Sequence, residues 1–462
     1  MMGKTLISGG QIASCDPEIG TITGDVLVDQ DVIVAVGSVD DADVVGAEVI
    51  DATDMIVMPG FVDAHRHTWQ SALRHRNGDR HGQEYFDEVL FRIAPGYTPD
   101  DVYIGTLLGA LGAIDAGTTT LFDWAHIQNS PAHADAGIRA LKKSGLRAVF
   151  GHGHSQVDPI AWNVASALPH SDDIRRIQHE HFAQPGLVTL AMSARGPEQT
   201  DDATWRLDLE LARDLGIRTS MHVGVGDRGP THRAVERMHR AGALGEDMIF
   251  LHLNTCSDEE IAYIADAGAR VSIGIQVEAV SQLGEIPTDR MLAAGLWPSL
   301  SGDTETMGTG DMFTQVRLAL SDYRVKAGMG RNAPGSPATL TTDDVLRMGT
   351  LAGADALGLG ALTGSITPGK QADIVLVDAT AVNLAPVSDP VGAIVLGAHP
   401  GNVDTVLVAG SVLKRDGELV GVDWPGVLEA ARESNARVLR RAEQVTTTAA
   451  GPGRLRDGAG GR

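Results

Sequence analysis

Cysteine is nearly absent from this sequence: among 462 residues only Cys15 and Cys256 occur, and they are far apart. Two distant cysteines give no disulfide framework, which is typical of proteins in a reducing compartment. The sequence also lacks any run approaching the roughly 18 apolar residues of a membrane-spanning helix, and its N-terminus lacks the apolar core of a secretory signal. We therefore predict a cytoplasmic protein that has no membrane partner.

Positive charge is scarce as well. The chain carries 37 Lys and Arg residues against 60 Asp and Glu residues, which gives a formal net charge of -23. This charge repels nucleic acids and anionic membrane surfaces, so a nucleic-acid polymer is excluded as a partner. Hydrophobic residues make up 43% of the chain, enough to bury a large core. The composition favours a globular protein that acts on a small molecule.

Eight short apolar runs alternate with segments of helical periodicity through the middle of the chain. A chain of 462 residues can hold one barrel of about 200–300 residues with smaller appendages. Eight alternating units with buried parallel strands predict an α/β fold, a (β/α)8 TIM-like barrel, whose chemistry lies at the C-terminal ends of the strands. The predicted strands lie within residues 58–67, 118–123, 147–152, 187–192, 218–222, 248–252, 269–273 and 297–303.

Both chain ends contain short β-branched strands that are broken by Gly and Asp. Strands of this length with turn signals between them predict a small sandwich, and we expect the two ends to pair into one composite β-sandwich domain. The predicted boundaries are 1–57 and 363–420 for the two parts of the sandwich and 58–362 for the barrel. An amphipathic helix is predicted over 421–448, and a Gly-rich disordered tail over 449–462.

Five polar side chains stand at the ends of predicted barrel strands. His65 and His67 end the first strand, His222 the fifth, His252 the sixth and Asp303 the eighth. Because residues i and i+2 of a strand face the same side, His65 and His67 can direct both imidazoles at one point. All five side chains would meet at one barrel mouth, where imidazole and carboxylate groups suit zinc or ferrous iron. The pattern predicts a metal site.

The same residues stand in motifs of a known family. The motifs are Pro59-Gly60-Phe61-Val62-Asp63-Ala64-His65-Arg66-His67, His222, His252, Ser301-Gly302-Asp303 and Gly369-Lys370-Gln371-Ala372-Asp373-Ile374. Through them the chain resembles the metal-dependent amidohydrolase superfamily over nearly its whole length, and within it the branch of atrazine chlorohydrolase and cytosine deaminase. The resemblance implies a homodimer and a catalytic role for His252 beside the attacking water. It also implies that the metal ligands are His65, His67, His222 and Asp303.

The expected chemistry agrees with this ligand set. A divalent ion with an open position lowers the pKa of bound water from about 15.7 to roughly 7, which makes hydroxide available at neutral pH. Asp303 would act as the catalytic base that accepts the proton of this water, and His252 would hydrogen-bond the hydroxide or the developing oxyanion. We expect zinc, with ferrous iron as the alternative, because these ligands accept both.

The sequence predicts a single metal ion per chain. Binuclear relatives bridge two ions with a carboxylated lysine at the end of the fourth strand, but no lysine occurs between Lys143 and Lys326. Glu198, a few residues beyond that strand, is the alternative bridging carboxylate.

One departure from the family leaves the identity of the leaving group open. Deaminases of this branch carry His-x-x-Glu on the fifth strand, and the Glu passes a proton to the leaving ammonia. This chain reads His222-Val223-Gly224-Val225 instead. Asp227 or Glu278 could replace the missing carboxyl group, or both could be solvated or paired loop acids.

Residues after the barrel strands indicate the kind of substrate. Aromatic faces beside amide and guanidinium donors suit a flat, nitrogen-rich heterocycle, although packing at the barrel rim is an alternative role for each. The residues predicted to contact substrate are Trp69, Gln70, Trp124, Arg195 and Glu278.

These observations predict a hydrolase of carbon–nitrogen bonds, an aminohydrolase that removes an amino group from a purine, a pyrimidine or an s-triazine. Two alternatives are hydrolysis of a cyclic or linear amide and displacement of a halide. Both depend less on an acid that donates a proton to leaving ammonia. A third alternative is a barrel that binds a ligand without turnover.

Overall fold

The structure is a computed structural model that describes residues 3–40 and 42–445. Within this part of the chain, one barrel and one further sheet account for the named strands. The predicted tail, 449–462, and the last positions of the predicted C-terminal helix, 446–448, lie outside the described residues. None of the described helices combines the length and the apolar composition needed to cross a bilayer.

The strands and helices alternate through the middle of the chain, as the pattern of apolar runs predicts. The strands are β1 (Lys4–Ala13), β2 (Thr21–Asp29), β3 (Val32–Gly37), β4 (Glu48–Asp51), β5 (Met55–Pro59), β6 (Phe61–Arg66), β7 (Thr118–Ala125), β8 (Arg147–His152), β9 (Val188–Ala194), β10 (Thr219–Val223), β11 (Met248–His252), β12 (Arg270–Ile273), β13 (Ser299–Leu300), β14 (Ile374–Asp378), β15 (Val403–Val408), β16 (Ser411–Arg415) and β17 (Glu418–Leu419). The α-helices are α1 (Gly82–Tyr85), α2 (Pro99–Asp115), α3 (Pro131–Ser144), α4 (Pro159–Asn163), α5 (Asp173–His181), α6 (Asp202–Asp214), α7 (Arg228–His232), α8 (Ala234–Arg240), α9 (Asp258–Asp266), α10 (Ile275–Val280), α11 (Thr288–Ala293), α12 (Met312–Gly328), α13 (Thr342–Met348), α14 (Leu351–Ala356), α15 (Pro390–Gly392) and α16 (Trp424–Val445). Two π-helical segments cover Phe86–Ile93 and Ala393–Gly397, and 3-10 turns cover Thr68–Leu73, Ala94–Gly96 and Pro400–Asn402.

Strands β6 to β13 form the barrel, pairing in parallel and in chain order. The seam between the last and first strands is closed by backbone hydrogen bonds: the amide of His67 donates to the carbonyl of Asp303 at 2.8 Å, and the amide of Asp303 donates to the carbonyl of His65 at 3.0 Å. Apolar side chains fill the interior, among them Val62 and Phe122. The predicted TIM-like barrel is therefore confirmed.

The other nine strands, from both chain ends, form one sheet in the order β17-β16-β15-β14-β5-β1-β2-β3, with β4 beside β1. Antiparallel pairing of β5 with β14 joins the two ends of the chain. Val32 lies on β3, the last strand in this order, and forms a β-bridge with Gln371 just before β14, so the sheet curls back on itself. Its concave face encloses a second apolar core that includes Val26 and Ile374. The predicted composite β domain is confirmed, and its strands are hydrogen-bonded as one curled sheet.

The chain passes from this sheet into the barrel at Gly60, between β5 and β6, two residues after the predicted boundary. A Cβ atom on Gly60 would lie 2.1 Å from the side chain of Thr119, so only glycine fits where the two units meet. Strand β6, which carries His65, is therefore separated by a single residue from a strand of the composite sheet.

Candidate metal centre and active site

The predicted ligands converge at the C-terminal mouth of the barrel. The nitrogen or oxygen atoms that His65, His67 and Asp303 offer to a metal lie within 4.8 Å of one another, and so do those of His65, His222 and His252. The Oδ1 atom of Asp303 is 3.4 Å from Nε2 of His65 and 3.5 Å from Nε2 of His67. Residues distant in sequence are thus brought to one point by the shared edge of the strands.

Asp63 links the first motif to the loop before Asp303. Its Oδ2 atom accepts a hydrogen bond from Nε of Arg66 at 2.7 Å, while its Oδ1 atom accepts one from the amide of Gly302 at 3.1 Å. Gly302 precedes Asp303, and Asp63 lies two residues before His65. One buried carboxylate therefore orients ligands on both sides of the barrel seam. Arg66 also donates to the carbonyl of Gly310, which anchors the loop after Asp303.

The imidazoles fit a divalent metal. Both ring nitrogens of His65 are buried with no hydrogen-bond partner among the described residues. Nδ1 of His67 lies 2.9 Å from the carbonyl of Trp124, which leaves Nε2 free to bind an ion. Burial and the neighbouring imidazole of His65 lower the pKa of His67 to about 3, and burial lowers that of His222 as well. Neutral imidazoles are the form that coordinates metals.

Asp303 supplies the anionic ligand. Burial opposes its charge, but the nearby imidazoles of His65 and His252 outweigh burial and hold its pKa well below the usual range. Asp303 and His252 both adopt positive φ, +52° and +73°, which non-glycine residues seldom do. Strained backbone of this kind is concentrated at functional sites, because the surrounding structure holds it in place.

His252 is held by a second group of polar residues. Its Nδ1 atom lies 3.1 Å from Oε1 of Glu278, and the other carboxylate oxygen accepts a hydrogen bond from Nδ2 of Asn254 at 3.0 Å. The amide of Gly274 also donates to Oε1, at 2.8 Å. Although burial disfavours the imidazolium, the hydrogen bond and charge of Glu278 raise the pKa of His252. Glu278 thus orients His252.

A cavity opens directly above the metal-directed residues. Its polar lining residues include Trp124, His126, His154, Asn163, Glu198 and Gln199. Its apolar lining residues include Tyr85, Phe86, Leu90, Val277, Leu283 and Met307. His67, His222, His252 and Asp303 also line it. The cavity therefore offers a flat ligand both hydrogen-bond partners and an apolar surface.

Of the five predicted substrate contacts, only Trp124 lines this cavity. Trp69 is fully buried in a separate apolar cluster. The amide of Gln70 donates to the hydroxyl of Tyr85 at 2.7 Å, so Gln70 supports the wall. Arg195 pairs with buried Asp208 at 3.1 Å. With Glu278 bonded to His252, these four side chains are engaged inside the protein instead of facing the cavity.

The two predicted replacements for the fifth-strand carboxyl group also lie elsewhere. Asp227 is exposed, at the start of α7. Glu278 is committed to His252. Glu198, considered above only as a bridging carboxylate, lines the cavity, and its Oε1 atom accepts a hydrogen bond from the amide of Gly224 at 2.7 Å.

The part of the cavity wall that lies between β6 and α2 in the chain is absent from the sequence-based predictions. Tyr85, Phe86 and Leu90 come from α1 and the π-helical segment that follows it. Their apolar spacing indicates a helix but does not indicate which surface the helix covers. No signal in the sequence points to their place over the barrel mouth.

Comparison with known proteins agrees with this geometry. A profile of the amidohydrolase family matches residues 56–413. The chain is 28% identical to a 5-methylthioadenosine/S-adenosylhomocysteine deaminase from Symbiobacterium thermophilum over 95% of this chain and 100% of that protein. It is 28% identical to a 5'-deoxyadenosine deaminase from Methanothermobacter thermautotrophicus over 94% of this chain and 98% of that protein.

Solved structures share the fold. An adenosine deaminase from Xanthomonas campestris with bound zinc superposes with a TM-score of 0.82 at 24% identity, covering 95% of this chain and 99% of that chain. Atrazine chlorohydrolase from Arthrobacter aurescens TC1, complexed with zinc, also gives 0.82 at 22% identity, covering 94% and 100%.

The barrel, the convergent histidines and these matches define a hydrolase of carbon–nitrogen bonds. The chain belongs to the amidohydrolase family. The predicted enzyme class, a deaminase-type hydrolase of an N-heterocycle, is confirmed by the family match and by the deaminases among its relatives.

Proposed function

We propose that this protein is an aminohydrolase with one zinc ion per chain that removes the 6-amino group of a 5'-substituted adenosine. The observation that carries the proposal is the convergence of three imidazoles and one carboxylate beneath a cavity. His65, His67, His222 and Asp303 are the proposed ligands. Zinc is supported by this donor set and by the zinc in the two solved relatives.

The mixed polar and apolar lining of the cavity supports a purine with an apolar substituent. The indole Nε1 of Trp124 is buried without a hydrogen-bond partner among the described residues, so an acceptor on the substrate would satisfy it. Asn163 and Gln199, which are hydrogen-bonded to each other at 2.8 Å, add amide groups to the lining. Phe86 and Leu90 add apolar surface, which suits a methylthio or deoxy group better than a charged one.

The residues of the chain then perform distinct tasks in the reaction. When bound, the zinc ion would act as a Lewis acid that lowers the pKa of the attacking water molecule. Asp303 is ionised at neutral pH and accepts a proton from the attacking water. His252, held through Nδ1 by Glu278, places its Nε2 toward the attacking oxygen. The buried walls exclude other water from the ring carbon.

The homodimer and the cytoplasmic location belong to this proposal as well. Cys15 and Cys256 are both free, which agrees with a reducing compartment. Light scattering coupled to size-exclusion chromatography tests the dimer, since a mass near 48.5 kDa would show a monomer.

The test combines metal analysis with product analysis on one sample. We expect one zinc per chain and release of ammonia without ring opening from 5'-deoxyadenosine and 5-methylthioadenosine, with cytosine and an s-triazine as comparison substrates. Ring opening of a cyclic amide without ammonia release from any amino-heterocycle would support the amide hydrolase instead. A protein that binds no metal would overturn the proposal.

A further inference from the structure

Hydrolytic deamination needs an acid beside the leaving nitrogen. An amide anion is too basic to leave, so the nitrogen must gain a proton before the carbon–nitrogen bond breaks. The family resemblance described in the sequence analysis implies a Glu for this purpose three positions after the fifth-strand histidine. Here that position is Val225, whose side chain lines the cavity but has no acidic proton to donate.

We propose that Glu198, from the loop after β9, is the catalytic residue that delivers this proton. This inference rests on the proposed aminohydrolase function. In the adduct of water with the ring carbon, the carboxyl group of Glu198 protonates the amino nitrogen. The carbon–nitrogen bond then breaks with its electron pair going to nitrogen, ammonia leaves, and the carbon–oxygen bond becomes a carbonyl as its hydroxyl proton is lost. The resulting carboxylate regains a proton that originates from the attacking water, so Glu198 is restored after each turnover.

The position of Glu198 carries the argument. Among the described residues that line the cavity, Glu198 and Asp303 are the only carboxylic acids, and Asp303 is taken as a metal ligand. The amide of Gly224 donates to Oε1 of Glu198 at 2.7 Å. Gly224 precedes Val225, and both Val225 and Glu198 line the cavity, so the fourth-strand loop brings a carboxyl group beside the segment of the fifth strand that lacks one.

The hydrogen bond from Gly224 also suits the role. It fixes Oε1 as an acceptor, so a proton on this carboxyl group resides on Oε2. Glu198 is 7% exposed. Burial raises its pKa to about 7, against the hydrogen bond from Gly224 and the positive charge of Arg228. A carboxyl group with this pKa is partly protonated at neutral pH and can both give and regain a proton.

The charged groups facing Glu198 come from three elements. Arg228 of α7 and His252 at the end of β11 lower the pKa of Glu198, whereas Glu260 of α9 raises it. The pH profile of kcat/KM should therefore fall above about pH 7, as Glu198 loses its proton. This falling limb should be absent in a Glu198→Gln variant.

The central experiment compares two leaving groups. A 6-amino group needs a proton to leave, whereas the chloride of 6-chloropurine ribonucleoside leaves without one. In Glu198→Gln, the amide oxygen can still accept from Gly224, so the fold and the metal content should be unchanged. We expect kcat for ammonia release to fall by about 100-fold or more while chloride release stays within about fivefold and KM changes little.

Rescue and control variants make the test specific. Adding Val225→Glu to Glu198→Gln restores a carboxyl group at the family position and should recover at least a tenth of the wild-type kcat for ammonia release, or about tenfold above the single variant. Asp227→Asn, at the exposed carboxyl group, should behave as the wild type. If Glu198→Gln releases ammonia at the wild-type rate, the inference is overturned and the proposed function stands.

Equal loss of ammonia and chloride release in Glu198→Gln would also overturn the inference, because it would indicate a general disturbance of the site. If the wild type itself releases no ammonia from any adenosine derivative, the proposed function fails, and the role of Glu198 fails with it. The two failures are thus distinguished by the wild-type assay.

Discussion

Asp303 shows how a single residue joins backbone strain to function. Its φ of +52° lies in the left-handed region, and its carboxylate is 3.4 Å from His65. Asn tolerates this backbone conformation, whereas Ala does not, so substitutions at this position can separate the loss of the ligand from the strain of the backbone.

We predict that Asp303→Asn lowers zinc affinity by at least about 100-fold, because the neutral amide is a poor ligand. Competition with a chromophoric chelator measures this affinity. In the metal-free proteins, Asp303→Ala should unfold with a free energy about 1 kcal/mol lower than Asp303→Asn, because Ala is strained at positive φ. Asp266→Asn, at an exposed carboxyl group, is the control, and zinc affinity of Asp303→Asn within threefold of this control would contradict the prediction.

At the scale of elements, the C-terminal helix α16 is fastened to α2 by polar contacts. Asp101 of α2 is fully buried and accepts hydrogen bonds from Ser434 at 2.8 Å and from Arg441 at 2.6 Å. Burial opposes the charge of Asp101, but hydrogen bonds from Thr98, Ser434 and Arg441 lower its pKa. Because α2 also contacts the 3-10 turn after the metal histidines, α16 supports the wall of the site from outside.

The lowered pKa of Asp101 gives a pH dependence of stability with a definite sign. The stabilisation is complete above the unfolded carboxyl pKa of about 3.9 and is lost as pH falls through the lower folded value. We predict that Asp101→Asn lowers the free energy of unfolding by about 1–3 kcal/mol at pH 7 and by less at pH 3. Urea unfolding at both pH values measures the difference.

The neighbouring exposed residue provides the matched control for this experiment. Asp100→Asn removes a carboxylate one residue away that is open to solvent, and it should change stability little at either pH. An equal destabilisation by Asp101→Asn at pH 7 and at pH 3 would show that charge plays no part in docking α16.

At the scale of the whole molecule, one buried ion pair joins the barrel to the composite sheet. Nε of Arg147, on β8, donates to Oδ2 of Asp373 at 2.8 Å, and Nη2 donates to Oδ1 at 2.9 Å. The amide of Ala409 donates to Oδ1 of Asp373 at 2.7 Å as well. Asp373 belongs to the motif 369–374, which is far along the chain from the metal ligands. This motif therefore acts as a structural connection between the barrel and the composite sheet.

We predict that Arg147→Met lowers the free energy of unfolding by about 3–5 kcal/mol, because it leaves the carboxylate of Asp373 buried without its partner. The double variant Arg147→Met with Asp373→Asn should be less destabilised than Arg147→Met alone, since the buried charge is then gone. Arg415→Met, which breaks an exposed pair with Glu48, should cost less than about 1 kcal/mol. A double variant as unstable as the sum of its single variants would contradict the prediction.

The sequence determined those features that depend on local periodicity and on the order of strands. Short apolar runs, each followed by a polar residue, were enough to place His65, His222 and Asp303 at strand ends, because parallel barrel strands share one C-terminal edge. The capping box of Ser257 with Glu260 is likewise local, and the structure shows it at the start of α9.

The tertiary structure decided which loop side chains face the cavity. Trp69 and Arg195 turn into the protein, while Phe86 enters the wall and Glu198 comes to lie beside Gly224. These outcomes depend on contacts between segments that are distant in sequence, and loop conformations have no periodicity from which such contacts can be derived. Strand ends are placed by a regular backbone, whereas loop residues are placed by the packing of the whole barrel around them.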